Sequence, residues 1–320
     1  MNASAGAKLT GPIAVTGATG FIGRALCRRL ATLDMPVRAL VRRPGVQLPD
    51  TVRLVQGSLA SGSALAELVR DAQLVIHCAG AVRGRDRAAF DAVNADGTAA
   101  LIEAITRHAP DAHLILLSSL AARAPQLSDY AASKQLAETL LTPALPFRHT
   151  ILRPTAVYGP GDVELQPLLT TMARGLATVP GSPDNRVTLI HVEDLVSAVI
   201  AAARVEAGSG PFELCDERAD GYRWPELAAA VAEITGRRVR LLTLPVGVLS
   251  VIARINLLRA RIFAAAPMLT PGKVRELTFE DWSCDPAPFA AISGWTPRVT
   301  LLDGLRSVLE AQREPVRGPQ

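Results

Sequence analysis

The chain has few cysteines, and their spacing fits neither a metal site nor a disulfide framework. Its 320 residues include only Cys27, Cys78, Cys215 and Cys284, with no C-x-x-C pair among them. Zinc sites use paired cysteines, and small secreted domains use regularly spaced ones. The sequence therefore predicts no metal site and favours a reducing compartment.

The chain also lacks a hydrophobic run long enough to cross a membrane. The most apolar late stretch, residues 244–258, contains Arg254 and is shorter than a membrane-spanning helix. Three interpretations of it stay open: a buried helix, the contact face of a homodimer, or a lipid-facing patch in peripheral contact with a membrane. The first twelve residues, MNASAGAKLTGP, hold one lysine and no apolar core, so we predict no secretory signal and expect a cytoplasmic protein.

Aromatic residues are scarce as well, at 4% of the chain, and the basic residues form no tract interleaved with aromatic side chains. The net charge is +4 and the isoelectric point is near 9.1. These properties do not predict a nucleic acid partner. Hydrophobic residues are abundant, at 49% against 20% charged, so a chain of this length can bury a large core.

Apolar runs alternate with helix-like segments from Pro12 to Arg153. The runs predicted as strands are IAVTG, PVRALVR, VRLVQG, AQLVIHCAG, AHLILLSS and HTILRP. Strands that are apolar throughout are typical of a parallel sheet covered by helices on both faces. The fold class predicted is therefore α/β, a doubly wound parallel Rossmann sheet with a smaller C-terminal substrate-binding cap.

The rhythm changes after Pro154, where proline and glycine interrupt shorter segments. Helices are predicted near residues 163–175, 193–204, 224–236 and 301–312. We assign residues 10–157 to a dinucleotide-binding domain and residues 158–314 mainly to the cap, with residues 187–205 returning to the Rossmann core.

A glycine-rich turn joins the first predicted strand to the first helix. Residues 16–23 read TGATGFIG, with Gly17, Gly20 and Gly23 at spacings of three. Glycine allows tight dihedrals and lets backbone N–H groups approach a pyrophosphate at the positive end of a helix. The dinucleotide is expected to contact Gly17, Thr19, Gly20, Phe21, Ile22 and Gly23.

A second group of candidate residues lies around the strand LILLSS and the helix that follows it. Tyr130 and Lys134 are four residues apart on a helix capped by Ser128, so both face the same side. An ammonium there can lower the pKa of the phenol and hold the ribose of a nicotinamide dinucleotide. Ser118 and Ser119 end the strand at the carboxyl edge of the sheet, where ligands bind in such folds.

These segments together resemble the extended branch of the short-chain dehydrogenase/reductase family. Further similar segments are HCAGAV at residues 77–82, VNADGT at 93–98, LRPTAVYGPGD at 152–162, HVEDLVSAV at 191–199 and GWTPRVTLLDGL at 294–305. The resemblance implies that Ser119, Tyr130 and Lys134 are catalytic. Ser118 would be a structural residue or a backup for Ser119. The resemblance also implies that the cofactor contacts Ala79, Gly80, Ala81, Tyr130, Lys134, Pro154 and Val157.

The same resemblance bears on three polar residues outside the catalytic set. For His191 and Asp194 we favour structural roles, a hydrogen-bonded corner and a helix cap. For Asn94 we favour helix packing over a water relay.

The residues after the second strand indicate which dinucleotide is used. Arg42 and Arg43 occupy the place where an NAD enzyme offers a carboxylate to the ribose. A guanidinium there pairs with a 2′-phosphate, so NADP(H) is favoured over NAD(H). Ser58, followed by Leu59, stands where the family usually has an aspartate for the adenine, so this contact is weaker.

Two departures from the family's nucleotide-sugar enzymes favour another substrate. Ten residues separate Ser119 from Tyr130, without the usual VYG turn, and Val187 replaces the usual diphosphate-binding arginine, with Arg186 beside it. The cap is apolar, like that expected for related 3β-hydroxysteroid dehydrogenases and dihydroflavonol reductases.

The function predicted is NADP(H)-dependent interconversion of a carbonyl and an alcohol on a small, apolar or mixed substrate. The alternative is a nucleotide-sugar epimerase or dehydratase with tightly bound NAD(P). A non-enzymatic dinucleotide-binding subunit is disfavoured because it would not need Tyr130.

Overall fold

The computed structural model describes residues 11–205, 209–263 and 269–312. The chain divides into two compact units. Unit 1 comprises Met1–Pro154, Val196–Glu213 and Pro286–Trp295, and unit 2 comprises Thr155–Leu195, Leu214–Asp285 and Thr296–Gln320.

The strands, in chain order, are β1 (Ile13–Thr16), β2 (Val37–Val41), β3 (Val52–Gln56), β4 (Leu74–His77), β5 (His113–Leu117), β6 (Arg148–Pro154), β7 (Ala156–Tyr158), β8 (Leu176–Pro180), β9 (Arg186–Val187), β10 (Leu189–His191), β11 (Phe212–Leu214), β12 (Tyr222–Arg223) and β13 (Arg240–Leu244). The helices are α1 (Phe21–Thr32), α2 (Gly62–Val69), α3 (Arg87–Asn94), α4 (Asp96–His108), α5 (Asp129–Thr139), α6 (Gln166–Ala173), α7 (Val192–Arg204), α8 (Trp224–Thr235), α9 (Val246–Phe263), α10 (Pro271–Leu277), α11 (Ala287–Ser293) and α12 (Leu301–Ala311).

A seven-stranded sheet forms the centre of unit 1. Its order is β11-β6-β5-β4-β1-β2-β3, and the pairs from β3 to β6 are parallel. Every residue of β1, β4 and β5 is buried, as continuous apolar strands predict. The six strands predicted from the sequence are confirmed, and so is the doubly wound Rossmann fold. The order reverses between β1 and β4, which is where such sheets bind ligands.

Helices α2 and α4 cover one face of this sheet. Leu68 of α2 and Leu101 and Ile105 of α4 belong to the same buried cluster as Val75 of β4 and Leu114 of β5. Burying such a side chain contributes roughly 1.5–3 kcal/mol. The cluster therefore makes the central strands rigid, and the candidate site lies at the carboxyl ends of these strands.

The sequence predicted a return to the Rossmann core at residues 187–205, whereas the structure places Val196–Glu213 and also Pro286–Trp295 in unit 1. These two segments belong to unit 1 because they pack against its sheet and against each other. Strand β11 joins the sheet edge beside β6, the rings of Phe212 and Phe289 lie 5.6 Å apart, and Trp295 Nε1 donates to Ser197 Oγ at 2.7 Å.

Unit 2 consists of three two-stranded sheets and the helices around them. Strands β10 and β7 and strands β13 and β8 pair in parallel, whereas β12 and β9 are antiparallel. Its core contains Tyr158, Met172, Trp224, Val231 and Leu305. The predicted helix near residue 163 begins only at Gln166, because the Asp162 carboxylate accepts the N–H groups of the next residues in a turn.

Three of the four cysteines, Cys27, Cys215 and Cys284, are buried, and no disulfide joins any of the four. Within the described ranges, no helix is both long enough and apolar enough to span a membrane.

Candidate functional site

The glycine turn after β1 has no room for a side chain at two of its positions. Gly17 has φ +69°, and a Cβ there would lie 2.5 Å from the Ala79 nitrogen. A Cβ on Gly23 would lie 2.2 Å from the Gly17 oxygen. Gly20 N donates to that same oxygen at 3.0 Å and closes the turn. The backbone therefore requires glycine at both positions.

The amino terminus of α1 fits a phosphate. Its N-cap residue, Gly20, offers no side-chain cap, and the first turn contains no acidic residue. The first N–H groups of a helix have no partner inside it, and the helix dipole favours an anion there. Arg24 Nε donates to Thr19 O at 2.8 Å and fixes the preceding loop. The cradle thus suits a dinucleotide pyrophosphate.

The carboxyl ends of β2 and β3 lie side by side, because Val41 pairs with Gln56. Arg42 and Arg43 follow β2 and are exposed, whereas Ser58 and Leu59 follow β3 and are half-buried. The structure therefore brings these four predicted cofactor-binding residues to one edge of the sheet. Leu59 also packs against the core cluster beneath that edge.

A buried histidine that the sequence analysis did not single out lies at the end of β4. His77 Nδ1 is 2.6 Å from Thr16 Oγ1, and its Nε2 is 3.0 Å from Thr98 Oγ1. The Thr98 hydroxyl donates to Asn94 O at 2.6 Å, so it accepts from Nε2, and His77 carries its proton on Nε2. Burial, with the nearby charge of Lys134, lowers the pKa of His77 to about 3. The ring is therefore neutral and fixes the ends of β1 and β4.

Asn94 connects the loop after β4 to α5. Its Oδ1 accepts from Ala81 N at 2.7 Å, and its Nδ2 donates to Ala81 O at 3.1 Å and to Ser133 Oγ at 2.8 Å. Ser133 in turn donates to Tyr130 O at 2.8 Å. Asn94 thus joins two segments by hydrogen bonds, and it positions the segment that contains Ala79, Gly80 and Ala81.

Helix α5 carries two of the three predicted catalytic residues. It begins after Ser128, whose Oγ accepts from Ala131 N at 3.0 Å, as the sequence predicted. Tyr130 is half-buried in the first turn, with its ring 6.1 Å from that of Phe90. Lys134 lies one turn later on the same side of the helix.

Lys134 is held at the carboxyl end of β5. Its Nζ donates to Leu117 O at 2.7 Å, and a Cβ built on Gly80 would lie 3.7 Å from it. The side chain is buried, and burial lowers its pKa to about 8, although Glu138 and Cys78 act in the opposite direction. The structure therefore places the ammonium between the end of β5 and the predicted cofactor-lining segment at Gly80.

The two serines after β5 have different surroundings. Ser118 is buried, and its hydroxyl donates to Glu138. Glu138 also forms a two-pronged ion pair with Arg153, at 2.9 and 2.6 Å. Ser119 is half-buried, and its Oγ accepts from Ala121 N at 3.2 Å at the start of a 3-10 turn. Ser118 thus makes a structural contact, and the Glu138–Arg153 pair is a feature that the sequence did not predict.

Four further predicted residues lie at or beyond the end of β6. Pro154 ends that strand in unit 1, and Val157 lies in β7 of unit 2. The structure exchanges the roles expected of His191 and Asp194, which were a hydrogen-bonded corner and a helix cap. His191 Nδ1 accepts from Glu193 N at 3.3 Å at the start of α7, so the histidine is the cap. Asp194 accepts from the N–H groups of residues 298 and 299, at 3.0 and 2.9 Å, and is the hydrogen-bonded corner.

The sequence pattern of the NAD dependent epimerase/dehydratase family matches residues 13–214, which is most of the chain. The protein belongs to this family. As an extended short-chain dehydrogenase/reductase, it is an NAD(P)-dependent oxidoreductase. In the described ranges, no group of three or more histidine, cysteine or acidic residues could hold a metal ion.

Relatives by sequence include reductases, and solved structures of the same fold include an epimerase. The chain is 39% identical to a ceramide reductase of Caulobacter vibrioides over 95% of both chains. It is 28% identical to a 2-alkyl-3-oxoalkanoate reductase of Stenotrophomonas maltophilia, over 92% of this chain and 97% of the relative. A UDP-glucose 4-epimerase of Thermotoga maritima has the same fold, with a TM-score of 0.75 and 20% identity over 94% of this chain and 98% of that chain.

Proposed function

We propose that this oxidoreductase uses NADPH to reduce a carbonyl on a ceramide-class lipid to an alcohol. The observation that carries the proposal is the position of Lys134, buried at the end of β5 one helical turn from Tyr130 and close to the segment of Ser119. Two relatives named for reductase activity, on a ceramide and on an alkyl-substituted oxoalkanoate, support a carbonyl substrate with apolar chains.

Each of the three residues has a separate task in this reaction. A bound nicotinamide dinucleotide supplies the hydride that reduces the carbonyl carbon. The phenol of Tyr130 donates its proton to the carbonyl oxygen and recovers one from solvent. The hydroxyl of Ser119 donates a hydrogen bond to the same oxygen and stabilises the negative charge that develops on it.

Lys134 supports the proton donor electrostatically. A cation one turn away stabilises the phenolate that Tyr130 becomes after it gives up its proton. The hydrogen bond to Leu117 O fixes the ammonium in place, so it needs no reorganisation during the reaction. The Ser118–Glu138–Arg153 cluster fixes α5 against β5 and β6 and keeps the three catalytic side chains in register.

The preference for NADP(H) rests on Arg42. Its guanidinium is exposed directly after β2, where it can pair with a 2′-phosphate by charge-assisted hydrogen bonds. Arg43 adds a second positive charge at the same edge.

Nucleotide-sugar epimerisation is the second candidate, and the geometry around β9 weighs against it. Val187 packs against the apolar core of unit 2. Arg186 Nη1 instead contacts Asp220 Oδ2 at 3.1 Å and the Asp220 backbone oxygen at 2.8 Å. A guanidinium already engaged by a carboxylate is a poor diphosphate ligand.

The catalytic assignment is tested by Tyr130→Phe. Because the phenol would be the proton donor, kcat for reduction of a keto-ceramide should fall by roughly two to four orders of magnitude. The Kd for NADPH should stay within about threefold, since the phenyl ring is retained. Stopped-flow absorbance and fluorescence titration measure the two quantities.

Tyr158→Phe is the matched control, because the Tyr158 hydroxyl is buried without a hydrogen-bond partner, and it should leave kcat unchanged. Full activity of Tyr130→Phe would refute the assignment. Conversion of a UDP-sugar without net NADPH consumption would establish the epimerase instead.

The cofactor assignment is tested by Arg42→Asp. A carboxylate repels the 2′-phosphate and can accept from ribose hydroxyls. We expect KM for NADPH to rise roughly ten- to hundredfold and KM for NADH to fall, in steady-state kinetics with both cofactors. Arg28→Asp, an exposed charge reversal on α1, is the control. An unchanged preference for NADPH over NADH would show that Arg42 does not bind the 2′-phosphate.

A further inference from the structure

One side of α9 is packed, and the opposite side is apolar and exposed. On the packed side, Leu249 and Ala253 form a buried cluster with Val274 of α10. The opposite side is formed by Val248, Val251, Ile252, Ile255 and Leu258, all of them exposed. We call these five residues the outer face of α9.

The outer face is a continuous surface. Its members recur at intervals of three and four residues, so they cover an arc of about 120° on the helix. Val251, Ile255 and Leu258 are 55%, 52% and 60% exposed, which is unusual for neighbouring branched residues. Single exposed apolar residues are ordinary, but a contiguous patch marks an interaction site. Of the three interpretations left open by the sequence, a buried helix is therefore excluded.

The stretch of chain that contains α9 carries charge of one sign. No aspartate or glutamate occurs between Glu233 and Glu276. The same tract, residues 234–275, contains Arg237, Arg238, Arg240, Arg254, Arg259, Arg261, Lys273 and Arg275. The whole chain has 34 basic and 30 acidic residues, and eight of the basic ones lie in this tract. The remainder of the protein is therefore net negative, and the excess positive charge lies in the tract that contains α9.

We propose that the outer face of α9 docks on an anionic lipid bilayer, with the helix lying in the plane of the headgroups. An apolar arc with one cation at its side and another at its carboxyl end matches the boundary between acyl chains and anionic headgroups. Arg254 and Arg259 are exposed on α9 and stand next to the apolar residues along the chain. The helix lies on the surface because it is not apolar enough to span the membrane.

The charge distribution also favours a membrane over a second copy of the chain. In a two-fold symmetric dimer the same surface meets itself. The acid-free tract would then face an identical cationic tract, and like charges would oppose the contact. An anionic bilayer supplies the complementary charge.

The proposal is independent of the reductase activity, because binding to vesicles requires neither cofactor nor substrate. The test is co-sedimentation of the full chain with phosphatidylcholine vesicles, with and without about one third phosphatidylglycerol. The parent protein should partition at least about tenfold more strongly onto the anionic vesicles, and high salt should reduce the difference.

The variant Ile255→Gln/Leu258→Gln should lose at least about tenfold of this partitioning, since two large apolar side chains leave the headgroup boundary. Arg254→Gln/Arg259→Gln should lose the preference for anionic lipid. Val163→Gln is the control: this residue is 63% exposed in unit 2 but outside α9, and its partitioning should match the parent. Circular dichroism should show all variants folded, since the altered residues are exposed.

Equal partitioning of parent and Ile255→Gln/Leu258→Gln would overturn the proposal. So would equal binding of the parent to neutral and anionic vesicles. A different pair of results would assign the outer face of α9 to self-association. The parent would form a dimer in light scattering but would not bind vesicles, and Ile255→Gln/Leu258→Gln would be monomeric.

Discussion

Lys134 combines a buried position with a positive charge. Burial lowers its pKa to about 8 from the ordinary value of 10.5. Below pH 8 both the folded and the unfolded chain hold the proton, and the buried charge opposes folding in full. Between these two pKa values only the unfolded chain holds it, so stability rises with pH.

The substitution Lys134→Met tests this balance, because methionine is of similar length and does not titrate. From about pH 7.5 to 9.5 the free energy of unfolding of the parent should gain about 2 kcal/mol relative to the variant. Urea unfolding of both proteins at the two pH values measures the difference between their free energies of unfolding. The contributions of the other titrating groups are the same in both proteins and cancel in this difference. A constant difference would mean that Lys134 titrates normally.

Some residues of the site could be predicted from the sequence, and others could not. The four-residue spacing of Tyr130 and Lys134 is a local helical property, so their shared side was predictable. Glu138 and Arg153 are 15 residues apart, and their pairing depends on α5 lying beside β6. His77 shows the same dependence, because its partners, Thr16 and Thr98, are 61 and 21 residues away.

At the level of elements, the glycine turn is the most constrained part of unit 1. Gly23→Ala would place a methyl group 2.2 Å from the Gly17 oxygen. This oxygen belongs to the backbone, which cannot move aside as a flexible side chain can. We expect this variant to lose at least about 2 kcal/mol of stability and most of its affinity for NADPH.

Gly62→Ala provides the control, because Gly62 begins α2 and a Cβ there meets no atom within 4 Å. It should leave NADPH affinity unchanged and raise stability by about 0.4–1 kcal/mol. Thermal unfolding and fluorescence titration of both variants provide the comparison. Tight NADPH binding by Gly23→Ala would argue against a fixed cradle.

Six of the seven strands in the sheet of unit 1 were predictable because their apolar runs are continuous, whereas β11, α6 and α9 were less so. Helix α6 begins late because the Asp162 carboxylate caps a turn before it, which no periodicity reveals. Helix α9 is apolar around much of its circumference, so its sequence does not show which side packs. Only the contact with Val274 identifies the packed side.

For the molecule as a whole, the position of charge should matter more than its sum. Arg237→Gln/Arg238→Gln and Arg28→Gln/Arg29→Gln remove the same net charge from exposed pairs. The first pair lies in the acid-free tract, and local fields of one sign dominate adsorption to a charged surface. On a sulfonate column the first variant should therefore elute at lower salt than the second. Identical elution would show that the tract does not act as one surface.

The shielding of the native thiols has a practical consequence. Burial raises the pKa of Cys27 to about 11 and that of Cys78 further, and the thiolate is the form that maleimide and iodoacetamide attack. A cysteine introduced on the solvent side, as in Ile255→Cys, would react first. An environment-sensitive dye could thus report α9 entering a lipid phase in otherwise unaltered protein.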